Sequence, residues 1–196
     1  MANHVSSHLE FHGLNEEGSK KLKSIVDLMR SRCSDEHEQS LCLAFFEDLY
    51  SENLDRNWMC ENVGAKWAYL TEYDGDTLHF LSAWSPVFEF VSYLVGQISE
   101  VQDNFTATYS YEDEFYNFAG VSVYDQDGIY ESIESDFECL QEEVFARFPD
   151  IREQWDEEEE EWRDDGDAFY EVFYDHVHDW QYNLEKDLLQ ELKEAQ

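Results

Sequence analysis

Residues 67–84 read WAYLTEYDGDTLHFLSAW, and this stretch decides the fold class. Its two aromatic-rich runs, 67–73 and 78–84, are joined around an Asp-Gly-Asp turn centred on Gly75. Apolar and polar residues that alternate on both sides of an Asp-Gly pair are typical of a β-hairpin. The sequence therefore predicts two paired strands here, and the other elements can be placed before and after them.

Before the hairpin, the sequence predicts one strand and two helices. Val5, Leu9 and Phe11 alternate with polar residues, as in a half-buried strand. Asn15 can cap the helix that follows, whose apolar residues recur every three or four positions. A second helix over residues 34–50 is predicted as an insertion before the hairpin.

After the hairpin, the sequence predicts a helix and a second pair of strands. Ser85 and Pro86 have the residue types of a helix cap and a first helical residue. Residues 105–111 and 118–124 then form two strands around the acidic turn 112–114. The order of elements is that of an α+β fold.

The last third of the chain has a helical pattern from Ile129 onward. A first helix continues to Val144 and is ended by Pro149. A second, acidic helix is predicted over 151–162 and a third over 169–188. The sequence therefore predicts a helical C-terminal region.

Four short motifs occur in order in the first two thirds of the chain. They are ENVGAKW at 61–67, AWSP at 83–86, YSYEDE at 109–114 and FAG at 118–120. Together they resemble the YubB-type ferredoxin-like domain of phage and plasmid proteins, over about residues 1–130. The chain is also similar, more loosely, to the acidic early counter-defence proteins of T-even phages.

The resemblance implies a ferredoxin-like β-α-β-β-α-β core and an origin in a mobile genetic element. Val63 and Ala65 stand where the family usually has Trp and Thr. The family brings no agreed catalytic residues. The resulting prediction is an α+β domain over 1–130, with the inserted helix at 34–50, and an acidic helical extension over 131–196 packed on it.

Negative charge dominates the composition. The chain has 47 Asp and Glu against 12 Lys and Arg, which gives a formal net charge of −35. Aromatic residues make up 16% of it, and this favours a folded core over a disordered acidic chain. The charge repels nucleic acid and anionic membranes and attracts basic proteins. The expected partner is therefore a basic, DNA-binding host protein.

The distribution of charge favours DNA mimicry. Residues 67–146 contain 17 acidic side chains and no Lys or Arg. On a helix, carboxylates three or four positions apart lie about 5–6 Å from each other at Cβ, similar to successive DNA phosphates. The sequence thus predicts a non-enzymatic inhibitor of a host defence protein that acts on DNA, such as a nuclease, a restriction system or a DNA-ADP-ribosylating toxin.

The residues predicted to bind the partner are surface carboxylates in the densest acidic clusters. They are Glu112, Asp113, Glu114, Glu142, Glu143, Asp156, Glu157, Glu158, Glu159, Glu160, Glu161, Asp164 and Asp165.

Two alternatives remain open. In the first, the carboxylates only keep the protein in solution, and exposed Trp155, Trp162 and Trp180 grip the partner. In the second, the protein is an enzyme of unrecognised type, with a pocket that contains perturbed titrating groups.

No motif predicts catalysis, a metal or a cofactor. His176 and Asp179 can share a helix face, but packing of His176 in the core is the favoured interpretation. His4, His8 and His12 share a strand face, yet they extend over about 27 Å and cannot form one site. The four cysteines are expected as buried free thiols in the cytoplasm, and the protein as a monomer or homodimer.

Overall fold

The computed structural model describes residues 3–32, 56–156, 161–162 and 166–195. Within these residues the fold is α+β, with one six-stranded antiparallel sheet, a two-stranded ribbon and helices on both faces of the sheet. The helix predicted at 34–50 lies outside the described residues.

The described strands and helices follow one another in a fixed order along the chain. The strands are β1 (His4–His12), β2 (Ala68–Asp74), β3 (Thr77–Ala83), β4 (Thr106–Asp113), β5 (Phe118–Asp125), β6 (Gly128–Asp136), β7 (Trp155–Asp156) and β8 (Glu161–Trp162). The helices are α1 (Glu16–Arg32), α2 (Arg56–Asn62), α3 (Phe88–Ser99), α4 (Phe137–Arg147), α5 (Pro149–Arg152) and α6 (Asp167–Ala195).

The strand order in the large sheet is β2-β3-β1-β4-β5-β6, and all neighbours are antiparallel. The N-terminal strand is interior, since Val5 is opposite Ser82 of β3 on one side and Asp113 of β4 on the other. The sheet has six strands, where the predicted core has four.

The predictions for the first strand, the first helix and the hairpin are confirmed. Asn15 Oδ1 accepts hydrogen bonds from the N–H groups of Glu17 (2.8 Å) and Gly18 (2.9 Å), and so satisfies the free donors at the start of α1. Strands β2 and β3 turn around Gly75, whose φ of 64° lies in the left-handed region.

Helices α1 and α3 cover one face of the sheet. The inward side of α3 carries Phe90, Leu94 and Ile98, all fully buried against the odd-numbered residues of β1. The hydroxyl of Tyr109 lies in this core, where it accepts from the Val87 N–H (2.9 Å) and donates to Ser7 Oγ (2.9 Å). The buried phenol therefore has its hydrogen bonds satisfied.

Helix α6 covers β5 on the opposite face. Val121 and Val123 of β5 are buried with Leu188 and Leu192 of the helix. Gln181 Nε2 donates to two main-chain carbonyl oxygens of the sheet, those of Tyr111 (2.9 Å) and Gly120 (3.3 Å). Helix α6 is therefore packed on the sheet.

The sequence interpretation of residues 129–136 as helix is wrong. These residues form β6, which pairs with β5 at the sheet edge, and the helix begins only at Phe137. Most of β6 is exposed, so its side chains show no alternation of apolar and polar residues. Ile129, Ile133 and Phe137 are spaced by four positions and so imitate a helical stripe.

The predicted cap at Ser85 is also wrong. Helix α3 begins at Phe88, and its N-cap residue Val87 makes no side-chain capping hydrogen bond. The Ser85 hydroxyl donates instead to the carbonyl oxygen of Gly64, which ties the end of β3 to the segment before β2.

The acidic helix predicted over 151–162 is not present in the described part of that range. Helix α5 ends at Arg152, and Trp155 then pairs with Trp162 in the antiparallel ribbon of β7 and β8. Asp156 pairs with Glu161 in the same ribbon. The helical spacing of carboxylates expected for this cluster therefore does not apply to it.

Two smaller findings concern cysteines and membranes. Cys60 and Cys139 are free thiols, but they are exposed and not buried as expected, and Cys33 and Cys42 lie outside the described residues. None of the helices in the described ranges combines the length and the apolar character that crossing a membrane requires.

Candidate functional site

Helix α6 carries a row of carboxylates along its outer surface. The row, called the acidic row below, repeats every fourth position and consists of Glu171, Asp175, Asp179, Asp187 and Glu191, with Asn183 at the remaining step. All these side chains are exposed. Residues four apart on a helix rise by about 6 Å and have Cβ atoms about 5–6 Å apart. The row is therefore evenly spaced along the helix, but each step turns it by about 40°, so Glu171, Asp175 and Asp179 share a side that Glu191 does not.

The burial pattern of α6 turns the acidic row toward solvent. Phe169, Phe173 and Val177 are buried and also recur every fourth position. Each buried residue precedes a carboxylate of the row by two positions, which is about 200° around a helix of 3.6 residues per turn. No Lys or Arg occurs between residues 167 and 185. The first half of the row therefore has no basic residue beside it on the helix.

The stretch without bases also presents its charge outward. All residues from 67 to 146 are described, and of their 17 carboxylates every one except Asp113 is exposed or partly exposed. Their negative charge is therefore available to a partner.

Asp113 does not belong to the outer surface on which the sequence analysis placed it. Its side chain is buried, with 1% exposed, and Oδ2 accepts from the Phe115 N–H (3.1 Å) and from Asn117 Nδ2 (2.5 Å). These contacts give Asp113 the role of holding the turn between β4 and β5.

The two acidic neighbours of Asp113 are each close to a histidine. Glu112 Oε2 lies 3.5 Å from His178 Nε2, and Glu114 Oε2 lies 3.3 Å from His4 Nδ1. Both carboxylates keep part of their surface open to solvent. They remain candidates for contact with a partner.

Glu142 and Glu143 lie on α4 and are more than half exposed, yet both have partners. Arg152 Nη1 donates to Glu142 Oε2 at 3.2 Å, and His176 Nε2 lies 3.0 Å from Glu143 Oε2. The contact with His176 links α4 to α6. His176 is therefore committed to a carboxylate on the neighbouring helix.

The structure does not bring the remaining predicted carboxylates into a described site. Asp156 and Glu161 are placed by their backbone pairing in the ribbon. Glu157, Glu158, Glu159, Glu160, Asp164 and Asp165 lie outside the described residues.

A cleft with aromatic and acidic walls opens beside the turn between β4 and β5. Its volume is about 670 Å³. Its walls include three carboxylates and three aromatic rings: Glu114, Asp136, Glu138, Phe115, Tyr170 and Tyr174. A cation over an aromatic face is attracted by the ring, and nearby carboxylates add to this attraction. The cleft therefore suits a Lys or Arg side chain.

Hydrogen bonds and burial shape the electrostatics of this cleft. The backbone N–H of Cys139 donates to Asp136 at the start of α4 and lowers the pKa of that carboxyl. Burial, with the charge of Glu112 and the neighbouring Tyr174, raises the pKa of Tyr116 to about 12. Around neutral pH the cleft thus combines an ionised carboxylate with a neutral phenol.

Two of the described aromatic side chains are strongly exposed, and neither belongs to a residue that the sequence analysis named. Trp155 and Trp180 are half-buried against the apolar cluster between α4 and α6, and the Trp162 side chain lies outside the described atoms. Phe115 and Tyr182 are far more exposed, at 66% and 69%. Their exposure depends on tertiary packing, so the sequence alone carried no signal for it.

The histidines of β1 share a face but make separate contacts, as the spacing predicted. His8 stacks on His79 of β3 with a centroid distance of 4.6 Å. Burial, and then the proximity of His79, lowers the pKa of His8. His4 and His12 contact Glu114 and Glu10 instead.

Comparison of the chain with protein-family models gives no match, and comparison with curated protein sequences gives none either. The function is therefore inferred from the charged and aromatic surfaces described above.

Proposed function

We propose that this protein is a non-enzymatic inhibitor of a host protein that acts on DNA, and that it blocks its target by DNA mimicry. The acidic row of α6 is the observation that carries the proposal. Its carboxylates are exposed and evenly spaced along the helix, and residues 167–185 contain no Lys or Arg. Arg147 of α4 lines a pocket with Asp179 and Asp187 of the row. A protein groove that binds DNA is lined with Lys and Arg, and such a surface attracts an array of this kind.

Residues 67–146, which contain no Lys or Arg, extend the negative surface beyond α6. Within residues 67–146, the exposed carboxylates of β6 and α4 add to those of α6. Crowding like charges costs stability, because they repel each other in the folded state. Electrostatic attraction of a basic partner would explain why the protein keeps these repelling charges at a cost in stability.

The aromatic–acidic cleft supports a second candidate function. In it, the protein is a binding module that inserts a Lys or Arg of its partner between Phe115, Tyr170 and Tyr174. Affinity then depends on a buried contact and changes little with salt, whereas mimicry depends on long-range attraction and weakens steeply with salt.

We further propose that β1 to β4, with α1 and α3, correspond to a ferredoxin-like core of the YubB type. The neighbour order β2-β3-β1-β4 and the two helices on one face support this assignment. In this proposal β5, β6 and the C-terminal helices are additions to the core. A mobile-element origin, action in the host cytoplasm and a monomeric or homodimeric state belong to the same proposal.

The mimicry proposal is tested by removing charge from the acidic row without changing side-chain size. The variant Glu171→Gln, Asp175→Asn, Asp179→Asn removes three charges. Its matched control, Glu72→Gln, Asp74→Asn, Asp103→Asn, removes one Glu and two Asp charges from exposed positions elsewhere.

The target is first captured from host lysate with the wild-type protein, and its affinity for each variant is then measured by surface plasmon resonance. We expect the α6 variant to bind about tenfold more weakly, or about 1.4 kcal/mol, mainly through slower association. The control should stay within about threefold, and short duplex DNA should compete with the wild type. Equal affinities of the two variants, or a complex that holds DNA and this protein together, would reject mimicry.

A further inference from the structure

Three potential metal ligands meet where α6 overhangs the sheet. Glu10 and His12 are two positions apart on β1 and so share a face, and Glu185 reaches them from α6. One donor atom from each of the three side chains lies within 4.8 Å of the other two. Residues from distant parts of the chain therefore converge here because of the docking of α6.

The contacts of Thr108 fix the orientation of His12. Thr108 is opposite Glu10 on β4, and its hydroxyl donates to Glu185 Oε1 at 3.2 Å. His12 Nε2 lies 3.1 Å from the same hydroxyl oxygen. A hydroxyl has one hydrogen, so while Glu185 is ionised Thr108 Oγ1 must accept from the Nε2–H of His12.

This hydrogen-bond chain leaves a lone pair on Nδ1 of neutral His12. Nδ1 lies 3.5 Å from Glu10 Oε1, so two acceptors face each other. Either a proton on the imidazole or a cation between the two atoms removes this repulsion. A histidine whose second nitrogen is held by a hydrogen bond is also the usual arrangement of a metal-binding histidine.

We propose that Glu10, His12 and Glu185 bind a divalent transition ion of the Zn²⁺ class, with water as the fourth ligand. One imidazole and two carboxylates match the preference of Zn²⁺, whereas Mg²⁺ and Ca²⁺ prefer oxygen ligands alone. Ligands of a tetrahedral ion at about 2.1 Å lie about 3.4 Å apart, so donors within 4.8 Å of one another must close by at most about 1.4 Å. The Glu side chains can do this by changing rotamer.

The site has a structural consequence that is separate from partner binding. The Glu185 carboxylate is partly buried between α6 and the sheet, so it loses solvation when α6 docks. A bound dication compensates that charge and connects α6 directly to β1. The ion thus stabilises the docked position of the helix that carries the acidic row.

The proposal is tested on the full chain by calorimetric titration with Zn²⁺ in an excess of Mg²⁺. The excess occupies sites that consist of carboxylates alone, which are abundant on this surface. We expect one Zn²⁺ per chain, and at least tenfold weaker binding in each of His12→Gln and Glu185→Gln. His178→Gln serves as the control, because it removes a different histidine that also lies beside a glutamate.

A second measurement uses the unaltered protein and therefore does not depend on the folding of a variant. On addition of one equivalent of Zn²⁺, the imidazole NMR signals of His12 should shift while those of His178 stay in place. Zn²⁺ binding that survives in both site variants, unmoved His12 signals, or the absence of binding above the Mg²⁺ background would each overturn the proposal.

Discussion

Gly120 lies on β5 against the phenol of Tyr111. A Cβ at this position would overlap the end of that phenol and would stand 2.9 Å from the carbonyl oxygen of Ile133 on β6. Tyr111 cannot simply turn away, because its hydroxyl donates to Glu134 (3.1 Å) and its ring packs on Phe88. The close approach of two strands and one ring thus requires glycine at this point.

We expect Gly120→Ala to lower the free energy of unfolding by about 1–3 kcal/mol, since inserting a methyl group into filled space forces neighbours to move. Gly96→Ala on α3 is the control. No neighbouring heavy atom lies within 4 Å of a Cβ at Gly96, and alanine favours a helix interior by up to about 1 kcal/mol. Urea unfolding of both variants checks this. Equal destabilisation by both would show that the close approach at Gly120 is not what matters.

At the scale of elements, helix α4 begins at an acidic residue whose side chain caps the N-terminus of the helix. Asp136 is the last residue of β6 and also the N-cap of α4, where it accepts from the Cys139 N–H at 2.9 Å. The hydrogen bond lowers the pKa of this carboxyl below its ordinary value of 3.8. One residue thus ends the edge strand, starts the helix and contributes charge to the aromatic–acidic cleft.

We expect Asp136→Asn to lower Tm at pH 7, because Asn can still cap the helix but lacks the negative charge at its N-terminus. The carboxyl has its lower pKa in the folded state, so its contribution is complete well above pH 3.8 and is lost as the pH falls through the folded pKa. The difference in Tm between wild type and variant should therefore shrink on acidification to about pH 2–3. Calorimetry over that range is the check, and a difference independent of pH would contradict it.

Elements with one buried and one exposed face, such as β1 and α1, could be predicted from the sequence. In β1, alternation of Val5, Leu9 and Phe11 with polar residues follows directly from burial against α1 and α3. Strand β6 has no buried face. It is an edge strand of the sheet, and both of its faces are largely exposed. Its place in the fold comes from pairing with β5, which leaves no periodic trace in the sequence.

The acidic character of the surface could be predicted from the sequence, whereas the choice of carboxylates that bind a partner stays a prediction. Counting charges identified an acidic surface, yet the densest run at 156–161 begins and ends in a two-stranded ribbon. The acidic row of α6 was visible in the sequence as carboxylates at every fourth position from Glu171 to Glu191. The predicted clusters were those with the highest density of charge, and a regular spacing of carboxylates along a helix is a separate signal. The proposed metal ligands could not be predicted from the sequence, since Glu185 comes close to β1 only when α6 docks on the sheet.

At the scale of the whole molecule, repulsion between the negative charges opposes folding. A formal net charge of −35 on 196 residues creates repulsion that every element shares. Among the described residues, three apolar clusters, one under α1 and α3 and two under α4 and α6, stabilise the fold against this repulsion. The long helix that carries the acidic row is thereby fixed by Phe173, Gln181 and Leu188.

We expect Tm at pH 7 to rise as NaCl is raised from about 0.01 M to 0.15 M, because the screening length falls from about 30 Å to about 8 Å. Screening weakens repulsion in the compact state more than in the expanded unfolded chain. The measurement is scanning calorimetry with the buffer held constant. A Tm that falls steadily over this range would mean that attractive ion pairs, such as Lys20 with Glu16, outweigh the net repulsion.

The interior position of β1 bears on how the chain can fold during synthesis. Its partners, Ser82 on one side and Asp113 on the other, follow Val5 by 77 and 108 residues. Strand β1 leaves the ribosome before both of these partner strands, so Val5, Leu9 and Phe11 stay uncovered until the partners arrive. Helix α6 follows all six strands of the sheet along the chain, so the sheet can begin to assemble before the helix is available to cover it. A chaperone that recognises short apolar segments would find its best opportunity in that interval.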